Sequence, residues 1–182
     1  MNKHLKPVFE ILLLKLNDAQ IDYWVYGGVS IAAFKGEFIR DNKDVDIFVK
    51  ETDFQKTSLL LDGLCNQNNF EIIYHQPKES SEKPKLDIKI DGKERMSVVP
   101  VYQKNNIAIF KYRDSNEEYS NKILEKIERN ISGYRFFTPQ DKFIKDMFIN
   151  HIKSRPDKMS RNNFRKDAKA VLTPEEYLKY TG

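Results

Sequence analysis

Residues 24–49 read WVYGGVSIAAFKGEFIRDNKDVDIFV, and the fold turns on how this stretch is read. An aromatic and β-branched run ends in Gly27 and Gly28, and the next apolar run opens with Asp44 and Asp46 on either side of Val45. Neither feature serves burial. Adjacent glycines bring backbone freedom that weakens a regular element, and carboxylates beside Val45, Ile47, Phe48 and Val49 oppose a dry environment.

A strand that ends in Gly-Gly and runs into a helix leaves unpaired amides at the helix N-terminus with no side chain in the way, a seat for phosphate oxygens. Read alone, the pair is equally a tight turn. Asp44 and Asp46 stand two apart on a strand and so emerge on one face, with Val45 and Ile47 on the other. Two such carboxylates repel unless a cation lies between them. Mg²⁺, which takes one or two carboxylates along with substrate phosphates, resolves the conflict. The plain alternative is a charged strand edge that deters aggregation. Taken together, the two features place a phosphate seat and a metal seat on neighbouring elements. Asp87, between Leu86 and Ile88 in KLDIKID, offers a third acid in a buried strand, whereas Asp91 belongs to a turn with Gly92.

Outward from this stretch, Leu5, Val8, Phe9, Leu12, Leu13 and Leu16 form an amphipathic stripe and predict a helix over 5–16. IDYWVY predicts a buried strand, residues 29–35 a helix, and DVDIFVK a second strand. Thr52 and Asp53 are candidate caps for a helix carrying Phe54, Leu60, Leu61 and Leu64. FEIIYH reads as a strand. LDIKIDGKERMSVVPVY reads as a hairpin with a type I′ turn at Asp91-Gly92, and NIAIFKY as a further strand. Residues 121–131 suit a helix or an imperfect strand. Thr138 and Pro139 predict the start of a helix with Phe143, Ile144, Met147 and Phe148 inside, and two short helices follow near 160–171 and 174–180. The expected fold is α/β (α+β): a small mixed sheet with flanking helices, residues 1–120 forming the core and residues 121–182 a basic helical region packed on it.

Bulk properties agree with a single well-buried core. The chain has 182 residues, 40% of them hydrophobic, and a net charge of +4. One cysteine, Cys65, excludes an internal disulfide. MNKHLKPVFEILLLKL is too short and too interrupted by charge for a secretory signal or membrane span, so the expected location is the cytoplasm without membrane contact. His4, His75 and His151 have no zinc-ligand spacing. Residues 121–182 hold 14 Lys or Arg against 8 Asp or Glu, concentrated in 142–169. That run is a solvated helical face or a surface for a polyanion.

The pattern YGGVSIAAFKGEFIRDNKDVDIFV resembles the nucleotidyltransferase superfamily: a Gly pair, a short helix, Asp-x-Asp on a strand and a third acid on a later one. The minimal branch is most similar, including antibiotic nucleotidyltransferases and abortive-infection toxin nucleotidyltransferases. In these an arginine precedes Asp-x-Asp, as Arg40 does, and the tails carry basic motifs that FIKDMF and FRKDAK resemble through Lys145, Lys166 and Asp167. The resemblance implies a cytoplasmic transferase using NTP and two Mg²⁺ ions. Asp44, Asp46 and Asp87 would be metal-binding and catalytic. Gly27, Gly28, Ser30, Arg40, Lys145 and Lys166 would be nucleotide-binding contacts. The implied acceptor is a hydroxyl on a small molecule, RNA or protein. A toxin acting on tRNA, with an antitoxin partner, or a silent nucleotide-binding module are the alternatives.

Overall fold

The computed structural model describes residues 2–75, 84–111 and 116–181. The expected loop at 76–85 falls mostly outside them. The N-terminal stripe forms a composite helix: a 3₁₀ turn at Lys3–Leu5, a π-helical segment at Val8–Leu13 and α1 at Leu14–Asp18. All six stripe residues are buried. The strand β1 (Tyr23–Tyr26) leads into α2 (Gly27–Lys35), and β2 (Val45–Lys50) into α3 (Glu51–Asn68). The glycines are therefore the first residues of α2 rather than its prelude. Asp44 immediately precedes β2.

Then follow β3 (Glu71–His75), β4 (Lys85–Ile90), β5 (Lys93–Lys104), β6 (Ile107–Lys111), β7 (Asn116–Ser120), β8 (Ile127–Ile131) and β9 (Tyr134–Thr138). Helices α4 (Asp141–Ser154), α5 (Asn162–Val171) and α6 (Pro174–Thr181) end the chain. Among the described residues the main sheet has seven strands, with central order β1-β2-β5-β4-β3 and β6 and β7 continuing from the far half of β5. Only β2 and β5 run parallel, with α3 covering the crossover; the other pairs are antiparallel. Asp91 and Gly92 turn β4 into β5 with positive φ at both residues, as the type I′ reading requires.

Three expectations shift. Lys50, whose side chain makes no capping bond and pairs with Asp22 instead, occupies the N-cap of α3, and Thr52 and Asp53 lie inside its first turn. Thr138 ends β9, bonding Arg129 Nε and the carbonyl of Pro139, and α4 begins only at Asp141. The ambiguous 121–131 segment splits into a 3₁₀ turn (Asn121–Leu124) and β8, because the β8–β9 hairpin pairs its own backbone as a separate two-stranded sheet. Thr173 and Glu176 cap α6 reciprocally.

One sheet face packs on the N-terminal helix, α3 and the β9 residue Phe136. The other carries an aromatic column: Trp24 stacks on Phe48 at 5.2 Å, Phe48 meets Phe110 edge-on at 4.9 Å, and Tyr119 links Phe110 to Phe143 of α4. Trp24 is thus core, as expected from its neighbours. A third cluster joins Ile31 of α2 to Ile144, Phe148 and Ile152 of α4 and to Ala168 and Val171 of α5. Helix α2 contributes to two clusters, which fixes its N-terminus against the end of β2.

Phe136 is 1% exposed and lies 5.4 Å from Phe9. Phe136→Ala should cost about 3–5 kcal/mol in urea unfolding, the usual penalty for a buried ring. A loss below about 1 kcal/mol would mean that the hairpin is not part of the core.

Candidate active site

The register of the sheet assembles the acids. Asp46 on β2 lies opposite Ser97 on β5, and Ser97 opposite Asp87 on β4, so the three share one face in a lateral row. Tyr26 lies opposite Asp46 on the other side. Gly27 has φ +68°, and a Cβ there would stand 2.7 Å from Asp46 Oδ2. Both facts demand glycine. At Gly28 a Cβ would collide with Arg40 Nη2 and with Asn42 Oδ1 at 2.5 Å. The α2 N-terminus is therefore bare main chain wedged between a carboxylate and a guanidinium. Such a surface accepts an anion at the amides and a cation at the carboxylate.

Asp46 is pushed up to about 7 by burial and by the charge of Asp44, with smaller contributions from Glu94 and Asp87. Asp44 is raised by burial and by Glu94. Lys85 opposes both shifts. Its Nζ lies 2.8 Å from Asp87 Oδ1 and 3.7 Å from Glu94 Oε1. Asp87, 4% exposed, also accepts from Ser97 Oγ at 2.6 Å and pairs with His75 Nε2 at 2.8 Å. Among the described residues no three His, Cys, Asp or Glu side chains gather closely enough to hold a metal by themselves. What is present is a half-buried acid pair with no ion-pair partner among the described residues, beside a third acid held by a lysine.

Arg40 reaches the site from the loop after α2. It donates from Nε and Nη2 to the two oxygens of Asp167 on α5 at 2.7 and 2.6 Å, a planar fork-to-fork pair. Asp167 is 3% exposed, and burial raises its carboxyl against the hydrogen bonds and charge of Arg40. The loop itself is laced to the N-terminus. Asn2 donates to Arg40 O at 3.1 Å and accepts from Asn42 N at 2.6 Å, and the His4 ring meets Asn42 O at 2.7 Å.

A cavity of about 380 Å³ opens over Gly27, Gly28, Arg40 and Asp46. One wall is Tyr26, Glu117, Pro139 and Met147; the other includes Phe148, His151, Lys158 and Phe164. Glu117 accepts from Tyr119 at 2.6 Å, and Tyr119 from Asn150 at 2.9 Å. Lys158 Nζ donates to His151 Nε2 at 2.7 Å and has no carboxylate partner among the described residues. Burial, with Arg155 and Arg161, lowers Lys158. Burial and the charges of Lys158 and Arg155 lower His151 to about 4, so its ring stays neutral and accepts the lysine proton.

Of the residues singled out in the sequence, Gly27, Gly28, Ser30, Arg40 and Asp46 line the cavity, while Asp44 and Asp87 flank Asp46 outside its lining. Ser30 spends its hydroxyl on Gly27 O at 2.8 Å. Lys145 and Lys166 are not brought in: Lys145 pairs with Glu176 of α6 at 2.8 Å, and Lys166 is exposed on α5. The lysine that does line the cavity is Lys158, in the 3₁₀ turn Pro156–Ser160. No spacing marks Lys158, His151, Asn42 or Lys85, because tertiary folding alone assembles them. The one usable signal was Asp167, whose motif pointed to the helix that anchors Arg40.

Residues 8–91 match the family model of aminoglycoside-2''-adenylyltransferase. No curated sequence matches. Among solved structures, ANT(2")-Ia in complex with adenylyl-2"-tobramycin is similar with TM-score 0.62 and 13% identity, covering 97% of this chain and 94% of that one. The lincomycin-bound lincosamide antibiotic adenylyltransferase LnuA gives TM-score 0.61 and 15% identity, covering 92% and 97%. A putative nucleotidyltransferase from Thermotoga maritima gives 0.59 and 13%, covering 88% and 93%. The likeness to these structures runs over most of each chain and shows a common fold, the nucleotidyltransferase fold. No helix of the described residues is long and apolar enough to cross a membrane.

Burial of Asp46 makes a signed prediction. A carboxyl raised to about 7 from 3.8 disfavours its ionised form in the folded state, so stability falls as pH rises between those values. Asp46→Asn should match the metal-free wild type in thermal melting near pH 3.5 and exceed it at pH 8 by roughly 2 kcal/mol or more. His151 gives the opposite dependence. With its pKa lowered from 6.5 to about 4, it contributes stability above pH 6.5 that is lost as pH falls through that interval.

Proposed function

We propose that this chain is a divalent-cation-dependent nucleotidyltransferase that moves a nucleoside monophosphate, AMP in the first instance, from a nucleoside triphosphate to a hydroxyl of a small polar acceptor, releasing pyrophosphate. The observation that carries the proposal is the Asp46 carboxylate held against a side-chain-free helix N-terminus beside a cavity lined by an ammonium that has no carboxylate partner among the described residues. The family match over residues 8–91 favours adenylyl transfer and an antibiotic-like acceptor.

Asp44 and Asp46 fit a hard divalent cation such as Mg²⁺, since they are half-buried, two residues apart and without an ion-pair partner among the described residues, and phosphate oxygens would complete the shell of such an ion. The bound cation supplies charge stabilisation at the α-phosphoryl oxygens and at the leaving pyrophosphate. The chain's own groups do the rest. The amides of Gly27 and Gly28 receive terminal phosphate oxygens, with Arg40 and Lys158 adding charge-assisted bonds. Arg40 is fixed before substrate arrives, because Asp167 holds its guanidinium. Neutral His151 aims Lys158 without adding a competing charge. Tyr26 and Phe148 provide apolar walls for the nucleoside, and the cavity limits water around the reacting phosphorus. Asp87 takes the proton of the attacking hydroxyl as the new oxygen–phosphorus bond forms and the bond to pyrophosphate breaks.

A second acceptor class is favoured by one observation: Arg161, Arg165, Lys166 and Lys169 are all exposed on and before α5, a basic strip suited to RNA. An antitoxin partner protein belongs to that reading.

The test is transfer of label from α-labelled NTPs to lincosamides, aminoglycosides and total tRNA, with pyrophosphate release followed in parallel. Label on a small molecule supports the first acceptor class and label on tRNA the second. NTP binding without pyrophosphate from any pool leaves a silent nucleotide-binding module. Asp46→Asn should lower turnover at least roughly a hundredfold, as expected for lost transition-state charge stabilisation. Lys158→Met should raise the KM for NTP by about tenfold or more, the worth of one charge-assisted hydrogen bond. Lys145→Met should leave both unchanged.

A further inference from the structure

Four carboxylates crowd one end of the sheet: Asp44, Asp46, Asp87 and Glu94. One side chain touches two of them. Lys85 opens β4, two residues before Asp87 and on the same face, and its ammonium bonds Asp87 Oδ1 and approaches Glu94. The strand register sets Asp87 in one lateral row with Ser97 and Asp46. Among the described residues no other lysine or arginine pairs with Asp87 or Glu94, and Arg40 is committed to Asp167.

Lys85 is also free to leave. Its side chain is 35% exposed, against 6% for that of Asp87, and its four-carbon stem can carry the ammonium outward without moving the strand. Asp87 would keep Ser97 Oγ on Oδ1 and His75 on Oδ2 after the lysine withdrew.

We propose that Lys85 is the resident counter-ion of this carboxylate cluster, holding in the unloaded protein the position of positive charge that a divalent cation takes over, so that cation entry and Lys85 withdrawal are one event. The inference rests on the metal-dependent reading above and adds a residue that sets the affinity of the site. Like charges exclude each other, so the occupied and lysine-filled states compete.

The test is Mn²⁺ binding to the full, nucleotide-free chain, followed by electron paramagnetic resonance of the free ion, for wild type, Lys85→Met and Lys85→Arg. Lys85→Met should bind Mn²⁺ about tenfold more tightly, since a competing positive charge is gone, whereas Lys85→Arg should bind as weakly as wild type. Lys85→Met should also melt lower without metal and gain more in melting temperature when Mn²⁺ is added. Equal or weaker Mn²⁺ binding by Lys85→Met overturns the inference while leaving metal dependence standing. Absence of Mn²⁺ binding in every variant, with NTP present as well, overturns both. Should Lys85→Met fail to fold, the wild-type protein decides: the lysine side-chain resonance that Lys85→Arg removes should shift when Mg²⁺ is added, and an unmoved resonance refutes the exchange.

Discussion

A carboxylate packed against a backbone that has no room for a side chain is the constraint on which the rest of this structure depends. Asp46 is held beside Gly27, and the left-handed turn at Gly27 is what lets α2 start directly from β1. Moving either would break a cluster. Helix α2 sends Val29 and Ala32 into the core under the sheet and Ile31 into the layer formed with α4 and α5. The sheet register, from Tyr26 through Asp46 and Ser97 to Asp87, is fixed by the same packing. The site inherits its geometry from the core, and the core tolerates the acids because Lys85 and Arg40 offset their charge.

The parts of this arrangement that are local in sequence were legible there. The strand-glycine-helix-strand unit, the I′ hairpin at Asp91-Gly92 and the buried stripe from Leu5 to Leu16 each follow from periodicity or turn chemistry over a few residues. Asp87 could be nominated as a buried strand acid, but only the β4–β5–β2 register puts it in line with Asp46. The basic residues were the failure. Lys145 and Lys166 stood in suggestive motifs, yet the helical phase of α4 turns Lys145 toward Glu176 and that of α5 leaves Lys166 in solvent. Lys158 sits in a short 3₁₀ turn with no periodicity, and only burial beside His151 distinguishes it. The starts of α3 and α4 were misplaced because Thr and Asp offered plausible caps where strand pairing or an uncapped lysine prevailed.

The cavity joins two regions with different contributions. The sheet supplies acids, the start of α2 supplies bare amides, and the C-terminal region supplies an ammonium, a neutral imidazole and aromatic side chains. The division is physically sensible. Carboxylates held on adjacent strands keep their spacing, whereas groups that must fit a variable ligand stand on α4 and the turn after it, where a change in side chain leaves the sheet undisturbed.

The fork between Arg40 and Asp167 spans 127 positions of the chain. During synthesis, Arg40 leaves the ribosome long before its anchor exists. Until α5 emerges, the guanidinium beside Gly28 lacks its carboxylate fork and keeps only the bond from Nη1 to Asp41 O, and the loop from 36 to 44 lacks its outer brace. A nascent or prematurely terminated product can therefore form much of the sheet and still hold an unfinished phosphate seat. The geometry around Gly28 is therefore complete only once nearly all of the polypeptide has been made.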